Sequence, residues 1–286
     1  MLDKYIEPAC HDEKGYEAFN KALDAENEGN RDCAENSYRI AAEQGSLKAL
    51  VNLGVLLISG DDAQKKEAIS LFLRAADADD ASGMRNMGYV CAIGVGMQVN
   101  KKEGIKWYTM AAEKGNVRAQ CNLAVMLRHG KYTQRNYAEA LKWNRMSAEA
   151  GYFRAQVNLA HMYMNGEGTE KDVSEAFYWY NEAAKNGSPR GMYNLSMMYM
   201  KGEGVPADAE KARELLKEAA AKGYPKAIYV IGETLLLEGK KEEAMELFRS
   251  GAMKGDQRCI DTLTSLGLPL SKYVGIIEDR KIEQGF

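Results

Sequence analysis

Apolar residues recur along this chain at helical spacing, and the pattern is interrupted at regular intervals. From Ala111 to Gly151 it runs AAEKG, then NVRAQCNLAVMLRHG, then KYTQRNYAEALKWNRMSAEAG. One amphipathic helical stretch ends at a glycine, a second follows a short loop, and the next AxxG closes it. The closing glycines Gly115, Gly151, Gly187 and Gly223 lie 36 residues apart. The series continues upstream through Asp79 to Gly45 and downstream to Gly255, at spacings of 36, 34 and 32. A fixed period of this size predicts stacked helical repeats, each burying its apolar face against its neighbours.

The pattern predicts a first helix pair over 13–28 and 31–44. Further pairs follow over 46–59 with 63–77, 81–93 with 100–113, 117–129 with 135–149, and 153–165 with 172–185. The last full pairs span 189–201 with 207–221 and 225–238 with 240–253. Glycine after each second helix suits the left-handed conformation of a C-terminal cap. Ser188-Pro189 supplies an N-cap followed by a proline at the first helical position, and Pro225 repeats that placement. Residues 1–12 read as an irregular lead-in, 13–255 as the repeat array, and 256–286 as a segment capping its end.

Nine positions after each closing residue stands a small side chain: Gly54, Gly88, Ala124, Ala160, Ser196 and Gly232. These allow the two helices of a pair to approach closely, and the apolar residue before each marks the core seam. Trp107, Trp143 and Trp179 also recur every 36 residues and read as packing residues rather than a cofactor site.

Composition adds mainly exclusions. The net charge of −3 with interspersed lysines and arginines offers no basic surface for nucleic acid. The opening MLDKYIEPACHDEKGYEAF has no apolar core of signal-peptide type, and no run approaches the roughly 18 residues of a membrane span. A cytoplasmic protein without membrane insertion is expected. Five cysteines at unrelated spacings, with no CxxC, read as reduced and mostly buried thiols. HExxH, zinc-type Cys/His spacing, GK[ST], SxxK and GxSxG are all missing, which leaves no catalytic residues, metal site or cofactor to assign.

The runs AQVNLAHMYMNGEGTEKDVSEAFYWYNEAAKNG (155–187) and GMYNLSMMYMKGEGVPADAEKARELLKEAAAKG (191–223) resemble the Sel1-like repeat, a relative of the tetratricopeptide repeat. The resemblance covers about 46–255, while 13–45 and 225–255 have shorter joints nearer to tetratricopeptide form. It implies an all-α, right-handed superhelical solenoid of antiparallel helix pairs, with first helices lining the concave side. It also implies an adaptor or scaffold without catalytic chemistry. An extracellular branch carries a cysteine pair in each repeat; this chain does not.

Positions three, seven, ten and fourteen after each closing residue share one helical face. Asparagine occupies the second station in five consecutive repeats: Asn52, Asn86, Asn122, Asn158 and Asn194. Lys48, Arg118, Arg154, Arg190 and Lys226 stand one turn earlier, and His129 and His161 fall on the same face. A primary amide offers a donor and an acceptor, which matches the N–H and C=O of an extended peptide, and arginine can pair with a carboxylate. The expected ligand is therefore a protein or peptide segment, extended and acidic, at about three residues per repeat. Two other readings stand beside it: an enzyme-like repeat protein acting on a β-lactam or peptidoglycan, and a self-associating structural module. The expected oligomeric state is a monomer or weak homo-oligomer.

Overall fold

The computed structural model describes residues 2–10, 13–130 and 133–267. Among the described residues the regular structure is entirely α-helical. The helices are α1 (Tyr16–Asn27), α2 (Arg31–Glu43), α3 (Leu47–Leu57), α4 (Asp62–Asp77), α5 (Ala81–Ile93), α6 (Lys101–Glu113), α7 (Val117–His129) and α8 (Tyr137–Glu149). They continue with α9 (Phe153–Asn165), α10 (Val173–Lys185), α11 (Pro189–Lys201), α12 (Ala209–Ala221), α13 (Pro225–Leu237), α14 (Lys241–Met253) and α15 (Gln257–Ser265). The chain divides into two compact units, 1–147 and 148–286.

In the first unit each helix from α1 to α7 packs against the next, and in the second the same holds from α9 to α15. Side-chain caps begin most helices. Asn30, Ser46, Asp61, Asp80, Asn100, Asn116, Asp172, Ser188, Asp208 and Asp256 each accept a hydrogen bond from a first-turn backbone N–H. Each such cap is worth about 1 kcal/mol. The position that closes each second helix is left-handed throughout, even where the residue is Asp79, at φ 70°. That shared conformation lets the period survive the loss of glycine there.

The seam of small residues has a defined partner. A Cβ on Gly54 would stand 2.5 Å from the Phe72 ring, one on Gly88 2.7 Å from Tyr108, and one on Gly232 2.6 Å from Phe248. Glycine is needed where an aromatic ring of the second helix lies flat on the first. Trp143 is buried, while Trp107 and Trp179 are half-buried against the apolar clusters of their own units. All three therefore serve packing.

The predicted bounds match the helices closely, with differences confined to their ends. The first pair starts at Tyr16 rather than 13, because residues 13–15 form a turn before the helix, with the Tyr16 N–H donating to the Glu13 carbonyl. Helix α15 takes up 257–265 of the proposed terminal cap; residues from 268 onward lie outside the described residues. Cys91, Cys121 and Cys259 are buried, Cys33 is half-buried and Cys10 is exposed, all as free thiols.

Candidate functional site: asparagine clamps along the first helices

The first helices α1, α3, α5, α7, α9 and α11 each place an asparagine in their second turn, and in the first unit three of these hold an extended piece of backbone. Asn86 Oδ1 accepts from the Asp3 N–H at 2.7 Å, and its Nδ2 donates to the Asp3 carbonyl at 2.9 Å. Asn52 does the same for Tyr5, at 2.8 and 2.7 Å. Asn20 does it for Ala9, at 2.7 and 3.0 Å. In extended backbone the N–H and C=O of one residue point to the same side, so a single amide closes both bonds. The pairing also fixes each amide's orientation, since only one flip puts donor to acceptor on both arms.

The segment 2–10 thus runs against the order of the repeats, from α5 to α3 to α1. The advance of six residues from Asp3 to Ala9 covers two repeat steps, which averages to the expected three per step. The steps are unequal. Two residues separate the first clamps and four the second, and the longer step contains Pro8, which has no N–H to offer.

Side chains complete the docking. The Asp3 carboxylate receives Asn116 Nδ2 at 2.8 Å and Arg118 Nη1 at 3.1 Å, with Arg85 Nη1 at 3.8 Å. Lys4 pairs with Glu26 at 2.6 Å. The Tyr5 hydroxyl donates to Asp80 Oδ2 at 2.6 Å, and Lys48 Nζ lies 5.8 Å from the centre of the Tyr5 ring. Burial, then the bond to Asp80, holds the Tyr5 hydroxyl well above its ordinary pKa, so it remains a donor at any physiological pH. Lys48 also pairs with Glu13 at 2.7 Å, which pulls that carboxyl below its usual range.

The clamps are themselves positioned by the second helices. Tyr38 on α2 accepts from Asn52 Nδ2 at 3.1 Å while donating to Glu26. Tyr108 on α6 makes the equivalent side-chain bond with Asn122.

Asn52 and Asn86 are therefore fully buried. The reason is that residues 3–5 lie on top of them. Lys48 and Arg118 are engaged by the chain's own Glu13, Tyr5 and Asp3. Asn122 is half-buried and His129 is exposed. In the second unit Asn158 and Asn194 are half-buried, and Arg154, Arg190 and Lys226 are exposed. His161 is half-buried and contacts the Asn165 amide on the next turn. Among the described residues no group of three or more His, Cys, Asp or Glu is placed to hold a metal ion.

Several residues of this site escaped the sequence reading, among them Asn20, Glu26, Tyr38, Asp80, Arg85 and Asn116. Asn20 had a signal. It precedes Asn52 by 32 residues, the spacing that separates Gly223 from Gly255, but no glycine stands at the start of that step. Asp80 and Asn116 had the sequence marks of helix caps, and Asn116 serves both roles at once, accepting from Ala119 N–H while donating to Asp3.

A family model described as Sel1 repeat matches residues 47–80, 81–116, 117–152, 153–188, 189–224 and 225–256. A crystal structure of a Sel1 repeat protein from Oxalobacter formigenes is 26% identical with a TM-score of 0.72, covering 82% of this chain and 96% of that one. The protective antigen c5321 of uropathogenic Escherichia coli, which displays the same repeat fold, is 27% identical with a TM-score of 0.50, covering 88% of this chain and 65% of that one. Yeast Tom70 shares the fold at 15% identity with a TM-score of 0.53, covering 98% of this chain and 70% of that one. No curated protein matches the chain. No helix among the described residues is long and apolar enough to cross a membrane.

Proposed function

The chain belongs to the Sel1 repeat family, and on that premise we propose that it is a non-catalytic, cytoplasmic scaffold that receives an extended, acidic segment of a partner protein along its first helices. The observation that carries this reading is the set of three asparagines, each holding both backbone polar groups of one residue of an extended segment. An arrangement that reads backbone rather than side chains suits a peptide ligand, and it needs no cofactor.

The second unit carries the same stations. Asn158 and Asn194 repeat the amide position, with exposed Arg154, Arg190 and Lys226 one turn earlier to attract carboxylates. Free cysteines without repeat-by-repeat pairing favour a reducing compartment and an adaptor role over the enzyme-like, secreted alternative.

Random twelve-residue peptides displayed on phage and selected against the full chain test this. Enriched sequences should carry Asp or Glu. Binding should weaken by about 0.5–1.5 kcal/mol for each of Asn158→Ala and Asn194→Ala. Arg154→Glu with Arg190→Glu should weaken it further at low salt than at high salt. Enriched peptides that bind all these variants like the parent chain would refute the reading.

A further inference from the structure

Residues 2–10 have no helix, no periodicity and no core of their own, yet they are held by six hydrogen bonds to three helices and by ion pairs at Asp3 and Lys4. We propose that this segment is an internal ligand of the first unit, which a partner segment of matching chemistry displaces. The proposal rests on the peptide-receptor reading above and adds the identity of the ligand: an acidic, a basic and a phenolic residue in succession, running from α5 towards α1.

Each of the three positions has its own reader. The carboxylate site is built from α5 and α7, where Asn116, Arg118 and Arg85 converge on Asp3, whose side chain is only 10% exposed. Glu26 reads the cation. Asp80 and Lys48 read the phenol, one at its hydroxyl and one at its ring. The next two side chains are not read, since Ile6 is 78% exposed and Glu7 is also exposed, whereas Ala9 is buried in the apolar core of the unit. The Ala9 clamp that follows engages backbone alone.

The internal segment does not exhaust this site. Arg85 is buried, and its Nε has no acceptor, while its Nη1 donates to Asn86 Oδ1 at 3.3 Å and lies 3.8 Å from the Asp3 carboxylate. A partner that brings a further acceptor to that guanidinium gains a bond that Asp3 does not make. Displacement therefore has a driving force. A tethered ligand docked nine-tenths of the time would lower a competitor's apparent affinity about ten-fold.

The test uses the full chain and a fluorescent peptide copying residues 2–9. Changing Asp3→Lys and Tyr5→Ala in the protein removes the internal ligand's side-chain contacts at these two residues and sets a cation against Arg85 and Arg118, without touching the helices. Measured by anisotropy, this variant should bind the peptide about ten-fold more tightly than the unaltered chain. The same peptide with its own aspartate changed to lysine should bind neither. A variant that melts like the parent yet binds the peptide no better would overturn the proposal. So would equal binding of the lysine-bearing peptide.

A second readout uses the unaltered chain. Saturating peptide should raise hydrogen exchange at the Asp3 and Tyr5 amides, and unchanged exchange would overturn displacement. These failures are separable from failure of the receptor reading, because phage-selected peptides lost on Asn158→Ala and Asn194→Ala report on the second unit alone.

Discussion

Asn86→Ala is the perturbation whose size the structure fixes best. The amide makes two bonds to Asp3, at 2.7 and 2.9 Å, and is fully buried. Two such bonds contribute a net 1–3 kcal/mol, at about 0.5–1.5 each. If the segment stayed docked, the Asp3 N–H and C=O would be buried without partners, at roughly 1–3 kcal/mol apiece. The chain has a cheaper route, because residues 2–5 can lift off and hydrate both groups. The loss of global stability is thus capped by the docking free energy, and the larger effect is local. Protection of the Asp3 amide from hydrogen exchange should fall by a factor of about 5 to 10, since a segment docked about nine-tenths of the time is protected no more than about ten-fold. The Ala9 amide, held by Asn20, should change less. Native-state hydrogen exchange read by NMR gives both values, alongside a urea melt for the global term. Asp3 and Tyr5 amides that exchange in the parent chain as fast as in a free peptide would refute the clamp outright.

Other expectations rest on independent contacts. Gly54→Ala should destabilise by about 1–2 kcal/mol, since overpacking against the Phe72 ring outweighs the gain in helix propensity; adding Phe72→Leu should recover part of it in thermal melts. Arg39 on α2 pairs with Glu35 and with Glu67 on α4, and its hydrogen bond holds the Glu67 carboxyl below its usual range. A depressed carboxyl stabilises above its unfolded pKa and ceases to do so as pH falls through the folded value. Arg39→Met should therefore cost at most about 1 kcal/mol near pH 7 and nothing near pH 2, as denaturant melts at the two pH values would report. Native alkylation should label Cys10 first and Cys33 more slowly. Cys259 should resist even at alkaline pH, because burial pushes its thiol up to about 12; rapid labelling of all five would contradict the packing.

The helix pairs were legible because they are local: each apolar period, cap and closing position lies within about 36 residues, and the aromatic-on-glycine seam keeps the same register. The asparagine row was legible as a row of amides able to grip a backbone. Its occupant was not. Residues 2–10 take their conformation from partners 11, 47, 83 and 115 residues away, so no pattern within the segment announces it. The burial of Asn52 and Asn86 follows from that occupant.

An amide that binds one residue's N–H and C=O is blind to its side chain, so the selectivity of such a row must come from the residues around it. In the first unit those are Asp80 and Asn116, each immediately after a closing position, together with Lys48, Arg85 and Arg118. The matching positions in the second unit are Tyr152, Ser188, Tyr224 and Asp256, and the ones that follow the Asn158 and Asn194 stations, as Asp80 follows Asn52, are Ser188 and Tyr224, neither of them a carboxylate. Arginine recurs one turn before the clamp at Arg154 and Arg190. On the proposed function, the second unit uses the same amide stations with different side chains around them. A segment selected by the second unit should retain the demand for an acidic residue and lose the demand for tyrosine two places on. The same tether that fills the first unit would then leave the second unit's choice of ligand unaffected.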